Sequence, residues 1–501
     1  MKYLRQARNI RDNLHCVYLS GKTRKINPLT SQFMEQYSVL DSAANYAFKY
    51  LDGLRQRRVY PDEVSLQDLK KLPLQLPESN TDAEEVIRLL DSVGSVNTVA
   101  TNGGRYFGFV FGGALPASLA ANWLASAWDQ NAVFKIASPV ATHIEKIAAG
   151  WLLDLLGLPS QSAVGFVTGT TVANFCGAIA ARYHLCRRMG WDIKSRGMTN
   201  APRIRVIAGE ELHASMQRAL ILAGFGLDEI IKVPTDDQGR IIAEKIPELD
   251  ASTLVCVQVG NVNTGAIDPI KEVCLKAKDK GAWVHVDGAF GLWARVSPNK
   301  SSFAEGCELA DSWAIDLHKW LNVPYDSGLV ICKDPQVLQN ALSVSAAYLP
   351  DSVEPEPYFN TPEMSRRARA IDAWAAIYSL GRRGIVDLIE RCCFLADLFA
   401  ARLEHAGFKI LNKVTLNQVL VSFGDAGLTN RIIKKIQDDG TCWCGGTIWK
   451  NITAMRISVS SWMTTAEDIE KSAAAIIRIA NEEVATNQKT SLVNSQAKEA
   501  S

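Results

Sequence analysis

The sequence predicts an α/β protein: a mostly parallel central sheet covered by helices, followed by a smaller α+β domain. Three observations carry that expectation. Short apolar runs rich in β-branched residues recur between 165 and 332. Segments of helical periodicity separate most of them, which is the pattern of a buried parallel sheet. After residue 385 the pattern changes to two long helices around a few short strands.

Taken in order, residues 1–105 alternate short helical patterns with turns at Pro28, Pro61, Pro73 and Pro77. Such a segment buries little by itself, so it is expected to be an arm that packs on the rest of the protein or on a second subunit. From 113 to 158 the pattern is helical, with Ala117, Ala120, Ala121 and Ala125 on one face. Ser138 and Pro139 open a long helix there, as cap and first helical residue, where the N–H that proline lacks would have no partner anyway. A strand at 165–167 leads into a helix at 172–188, and a strand at 204–208 into a helix at 215–223. Further strands are predicted at 230–233, 254–259, 283–286, 312–315 and 328–332, then a helix from 362 to 380. The smaller domain has helices at 385–406 and 466–481 and strands at 409–411, 418–423 and 454–459. The expected boundaries are an N-terminal arm at 1–105, a large domain at 106–380, a small domain at 381–484 and a disordered polar tail at 485–501.

Composition excludes several classes of partner. Lys+Arg 54 against Asp+Glu 53 leaves +1, which offers no electrostatic grip on nucleic acid or an anionic membrane. At 501 residues, with 47% hydrophobic and 21% charged side chains, the chain is ordinary globular material, too long for one core. Its eleven cysteines form no even framework, and the first residues carry no apolar targeting core, so a cytoplasmic protein with free thiols is expected. Cys442-Trp443-Cys444 lacks the spacing of a redox or zinc pair, and no metal is expected. The longest apolar stretch, 114–128, is shorter than a bilayer span and ends at Asp129.

The chemistry is read from His318-Lys319-Trp320. Alone, the tripeptide is most simply a surface lysine beside a packed tryptophan. Three other elements, in chain order, give it another meaning. Val167-Thr168-Gly169-Thr170-Thr171-Val172-Ala173-Asn174 sits where a strand turns into a helix, so its free N–H groups and hydroxyls form a candidate phosphate cradle. His213 follows a strand and is placed to stack on a flat ring. Asp287 ends a strand 32 residues before Lys319, where a carboxylate can hold a pyridine nitrogen, and Gly288 and Ala289 leave room for the ring. The set suits pyridoxal 5'-phosphate, with Lys319 as the Schiff-base lysine and Asp316 and His318 near its phosphate or ring hydroxyl. Singly, each residue has a plain structural explanation; the four together do not.

The chain resembles the group II pyridoxal-phosphate-dependent amino acid decarboxylases, over roughly residues 40–480. The resemblance is carried by Ser138-Pro139 to Glu145, Gly169-Thr170-Thr171, His213, Gly239-Arg240, Gly265-Ala266-Ile267-Asp268-Pro269, His285-Val286-Asp287-Gly288-Ala289, the run from Asp316 to Gly328, and Ser365-Arg366-Arg367 with Trp374. It implies fold type I and an obligate homodimer with active sites at the subunit interface. Gly260-Asn261-Val262-Asn263 departs from the family's Gly-Thr-Thr, Phe111 replaces a residue that is often polar, and Leu317 separates Asp316 from His318.

Decarboxylation requires a proton donor for the carbanion at Cα. Tyr348, 29 residues after Lys319, resembles the loop tyrosine that does this in similar decarboxylases, where phenylalanine gives aldehydes instead. Tyr106, Phe107, Phe109 and Phe111, with Trp123 and Trp128, predict an aromatic pocket wall, with Phe109 and Phe111 touching substrate. Arg105 is the one nearby cation for an acidic side chain. The expected reaction is therefore conversion of an aromatic amino acid, tryptophan or tyrosine, to its amine and CO2. Alternatives are an acidic or diamino substrate, aldehyde formation, or an aminotransferase that uses Arg456.

Overall fold

The computed structural model describes residues 28–343 and 355–499. These form two compact units, one of residues 28–56 and 61–98, the other of 57–60 and 99–499. In the first, α1 (Pro28–Gly53) packs with α2 (Ala83–Leu89), whose first turn is capped by Asp82 accepting from the Glu85 N–H at 3.2 Å. Val64, Leu74 and Leu76 of this unit stand 81%, 98% and 91% exposed.

The second unit is built on a seven-stranded sheet. Its strands are β1 (Ala163–Val167), β2 (Arg205–Gly209), β3 (Ile231–Val233), β4 (Thr253–Gln258), β5 (Trp283–Asp287), β6 (Ser312–Asp316) and β7 (Gly328–Cys332), in the order β1-β7-β6-β5-β4-β2-β3. The five from β6 to β3 run parallel, and β7 is antiparallel to both neighbours. Strands β1, β4, β5, β6 and β7 are buried along their whole length, which explains their unbroken apolar character.

The helices on this sheet are α3 (Pro116–Trp128), α4 (Pro139–Leu156), α5 (Thr170–Arg188), α6 (Ala214–Leu222), α7 (Ile270–Lys280), α8 (Pro335–Leu342) and α9 (Ala370–His405). Ser138 caps α4 by accepting from the Ala141 N–H at 3.3 Å, as its sequence predicts. The predicted continuous pattern at 113–158 is two helices, because Asp129 adopts φ 47° and ends α3. The helix expected from 362 begins only at Ala370. The preceding arginines are held by ion pairs instead: Arg366 to Glu145 at 3.0 Å and Arg369 to Asp326 at 2.9 Å. From Ala370 it runs to His405, kinked at Gly381 (φ 60°), merging two predicted helices.

A second, antiparallel sheet of β8 (Lys409–Ile410), β9 (Gln418–Ser422), β10 (Gly445–Trp449) and β11 (Ile452–Ser458) pairs in the order β10-β11-β9-β8. It packs with α10 (Ala426–Asp439), which in turn packs on α11 (Ala466–Glu499). Strand β10 is not foreseen in the sequence: it opens on two glycines, and its pairing with β11, not an apolar run, makes it a strand. Helix α11 continues to Glu499 where a disordered tail is expected from 485. No glycine or proline interrupts that stretch. Among the described residues no helix is long and apolar enough to cross a membrane.

Candidate active site

The carboxyl ends of β5 and β6 and the first turn of α5 meet at one place, the usual ligand position in an open α/β sheet. Gly328 pairs with Val167 on one side and Asp316 on the other. It lets Gly169 come so close that a Cβ on Gly328 would lie 2.5 Å from the Gly169 Cα. This closeness puts Asp316 on the helix end. Its Oδ1 accepts from the Thr170 N–H at 2.7 Å, and its Oδ2 is hydrogen-bonded by the Thr170 hydroxyl.

Lys319 Nζ lies 3.0 Å from Asp316 Oδ2, and His318 Nε2 lies 3.6 Å from Oδ1. Burial alone would raise the Asp316 pKa, but Lys319, His318 and the Thr170 hydroxyl outweigh it and hold the carboxyl below its usual range. The first N–H expected to be free for a phosphate is thus occupied by a carboxylate of the protein itself. Thr171, the next cradle residue, is half-buried.

His318 accepts from the Ser327 N–H through Nδ1 (3.1 Å), so the neutral ring carries its proton on Nε2, facing Asp316. Burial lowers its basicity. Asp287, 7% exposed, accepts from Asn174 Nδ2 at 2.9 Å and from the Ala289 N–H at 3.2 Å. Two donors leave acceptor capacity on this carboxylate. The Ala289 carbonyl in turn accepts from the Asp316 N–H at 2.9 Å, which ties the two acidic residues through one backbone.

His213 caps α6: its Nδ1 accepts from the Ser215 N–H at 3.2 Å. Its own N–H donates to Gln258 Oε1 at 3.1 Å. Burial lowers its pKa first; Asp287 raises it, Lys319 and Arg456 lower it, and Asp316 raises it. His213, Asp287, Asp316, Lys319 and Arg456 therefore form one electrostatic cluster. The group is chemically suited to pyridoxal phosphate: an amine with a nearby carboxylate, a buried anion with spare acceptor capacity, and a glycine-lined helix end. An added Cβ at Gly169 would lie 3.0 Å from His318 Cε1 and crowd that end.

An aromatic row runs away from His318. Tyr325 stacks on it at 4.3 Å, and Phe111 meets Tyr325 edge-on at 5.5 Å. Phe111 touches Tyr106 and Phe109, each at 5.6 Å, and both of these contact Trp443 at 5.0 and 5.4 Å. Gly112 brings this wall against the lysine loop, since a Cβ there would fall 2.0 Å from the Lys319 carbonyl oxygen. Phe109 and Val110 both take left-handed backbone angles (φ 53° and 59°), a strained conformation for a bulky and for a β-branched residue.

Several predicted wall residues lie elsewhere. Phe107 is a core residue against Phe399, and Trp128 is 43% exposed on α3. Trp123 is 39% exposed on the same helix. Arg105 is engaged by the Thr441 and Arg57 carbonyls. Tyr348 lies outside the described residues. Sequence reasoning included Asn174 only as the end of the cradle segment, not as a partner of Asp287; it gave no role to Tyr325 or Trp443, and considered Arg456 only for a rival reaction. Arg456, on β11, is half-buried, feels Tyr106, and has no carboxylate partner among the described residues. A lone cation on an otherwise apolar strand was the signal available.

The family model described as the pyridoxal-dependent decarboxylase conserved domain matches residues 67–424. The chain is 27% identical over 422 residues to an aromatic-L-amino-acid decarboxylase of Bacillus atrophaeus, covering 80% of this chain and 86% of that protein. It is also 27% identical over 358 residues to an acidic amino acid decarboxylase of Mus musculus, covering 68% and 64%. The crystal structure of Oryza sativa TDC with PLP and tryptamine shares the fold, with a TM-score of 0.83 at 21% identity, over 92% of this chain and 99% of that one.

Proposed function

We propose that this chain, which belongs to the pyridoxal-dependent decarboxylase family and uses pyridoxal phosphate to decarboxylate an amino acid, acts on an aromatic one, tryptophan or tyrosine. The observation that carries the choice is the aromatic row from Tyr325 through Phe111 and Phe109 to Trp443, packed against the lysine loop. A flat apolar ring gains from such surfaces, by area burial and by ring contacts.

When bound, pyridoxal phosphate supplies an electron-accepting ring that takes up the pair left as CO2 departs. Lys319 would carry it. Asp287 would meet the ring nitrogen and favour its protonated form, and His213 and Ala289 would flank the ring. Thr170, Thr171 and His318 would hold the phosphate, with Asp316 ordering them. Arg456 grips the substrate α-carboxylate, for which its unpaired charge suits it. Tyr348 Oη returns a proton to Cα. The arm exposes Val64, Leu74 and Leu76, and their apolar surface suits a homodimer whose active sites lie at the interface. Its buried free thiols suit the cytoplasm.

A second reading is favoured by Arg456 itself: the same guanidinium would hold the side-chain carboxylate of an acidic amino acid. Product analysis tests both. Purified protein with pyridoxal phosphate and L-tryptophan or L-tyrosine should give CO2 and the amine in equal amounts. Keto acid, or aldehyde as main product, would contradict the reaction. Arg456→Met separates the two roles for this residue: it should impair every substrate if the guanidinium grips the α-carboxylate, and acidic substrates alone if it grips the side chain.

A further inference from the structure

We propose that Asn174 and His285 are positioning residues that hold Asp287 as a carboxylate, through a one-directional hydrogen-bond chain that starts at Trp283. This rests on the reading that Asp287 meets the ring nitrogen. The links are Trp283 Nε1 to Ser312 Oγ at 2.9 Å, Ser312 Oγ to His285 Nδ1 at 2.8 Å, His285 Nε2 to Asn174 Oδ1 at 2.9 Å, and Asn174 Nδ2 to Asp287 Oδ2 at 2.9 Å. Ser312, His285 and Asn174 are fully buried, away from bulk solvent. The imidazole fits because α5 carries a glycine beside it: a Cβ at Gly177 would lie 2.3 Å from His285 Cε1.

The two ends decide the direction. An indole N–H only donates, and an ionised carboxylate only accepts. Asn174 must then turn its NH2 to Asp287 and its carbonyl to His285, which carries its proton on Nε2. His285 Nδ1 is left to accept from Ser312, whose oxygen accepts from Trp283. Every group is satisfied. A proton on Asp287 Oδ2 would reverse the chain as far as Ser312. The serine oxygen would then accept from both His285 and Trp283, and its own buried hydroxyl proton would have no acceptor among the described residues. The chain therefore favours a bare Oδ2 oxygen facing the Asn174 NH2. Burial pushes His285 down to about 3, so the imidazole does not compete for a proton. The other titratable groups facing Asp287 are His213 and the Cys256 thiol, the latter kept neutral by burial.

The test is titration of pyridoxal phosphate into the stripped full-length protein, followed by the visible absorbance of bound cofactor across pH. His285→Phe should weaken binding by up to about tenfold, the scale of a lost neutral hydrogen bond behind the carboxylate, and move the acid limit of binding to higher pH. His285→Gln, which returns a donor where Nε2–H stood, should recover most of the loss. In an Asp287→Asn background, His285→Phe should change affinity by less than about twofold, since its partner charge is gone. Equal losses in both backgrounds would overturn the proposal and leave His285 a packing residue. If Asp287→Asn binds cofactor like the wild type, it is the placement of Asp287 that fails. Should His285→Phe not fold, Ser312→Ala carries the same prediction: the acid limit moves up, and an unmoved limit overturns the chain.

Discussion

Behind Asp287 the side chains of Asn174, His285 and Ser312 are fully buried and joined end to end, whereas in front of Lys319 the wall leaves Phe109 and Tyr325 52% and 54% exposed. The buried side sits on two central strands and one helix and has one arrangement of protons. The wall sits on loops, includes the strained Phe109-Val110 pair, and is held by ring contacts and a few backbone bonds, such as the Phe107 N–H to the Trp443 carbonyl at 2.9 Å. In the proposed reading the difference separates two tasks. Charge placement that must not relax is built into the core, where the low dielectric strengthens it. Substrate choice is left to a surface that can change without unfolding the sheet.

The comparison can be broken at several points. Lys319→Ala should lower CO2 release by roughly a thousandfold or more, because a covalent contribution is lost outright; single-turnover CO2 assays would measure it. On the buried side, acid stability is the next largest effect. His285 is depressed from its ordinary value of 6.5 to about 3, so its contribution is present above pH 6.5 and is lost as pH falls toward 3. Asp268 and Asp311, raised to about 6, run the other way, contributing below their ordinary 3.8 and losing that contribution as pH rises through 6. Thermal melts between pH 6.5 and 3 should therefore fall less steeply in His285→Phe than in the wild type, by up to roughly 4 kcal/mol over the window.

Tyr348→Phe should slow amine release by about a hundredfold, the usual scale for a proton donor, and raise aldehyde. Unchanged amine output would end that role. On the wall, Phe111→Ala should raise the KM for L-tryptophan roughly tenfold through lost ring contact and area, with cofactor affinity unmoved. A parallel loss of cofactor would show that the two sides are not separate. The smallest effect is at the helix end: Asp316→Asn keeps an acceptor for the Thr170 N–H and removes a negative charge from the phosphate position. Cofactor affinity should rise about threefold, the scale of a charge at a helix terminus, as read by the same titration.

Most of the sheet was legible because fully buried strands, whatever their direction, write themselves as apolar runs, as at β4 and β7. β10 was not, since an edge strand that opens on Gly445-Gly446 is defined by its partner. Lys319, Asp287 and His213 could be named as candidates because chain order and local context single them out. Asn174 could not: nothing in a helical sequence says that one buried amide faces a strand end 113 residues away. Trp443 could not either, because it reaches Tyr106 from the far side of the second sheet's sequence. The sequence marks the turn from strand to helix at Gly169 as a candidate cradle, but the carboxylate that meets its first N–H, Asp316, depends on the Gly169–Gly328 approach, which the antiparallel placement of β7 produces.

The most direct measurement is the ratio of kcat/KM for decarboxylation of L-tryptophan and L-tyrosine to that for L-glutamate and L-aspartate, at saturating pyridoxal phosphate. A wall of rings beside Lys319 predicts that an aromatic substrate leads by about a hundredfold or more, since a buried apolar surface penalises an unpaired carboxylate. A ratio that favours glutamate or aspartate would contradict the account and make Arg456, not Phe111, the residue that selects the substrate.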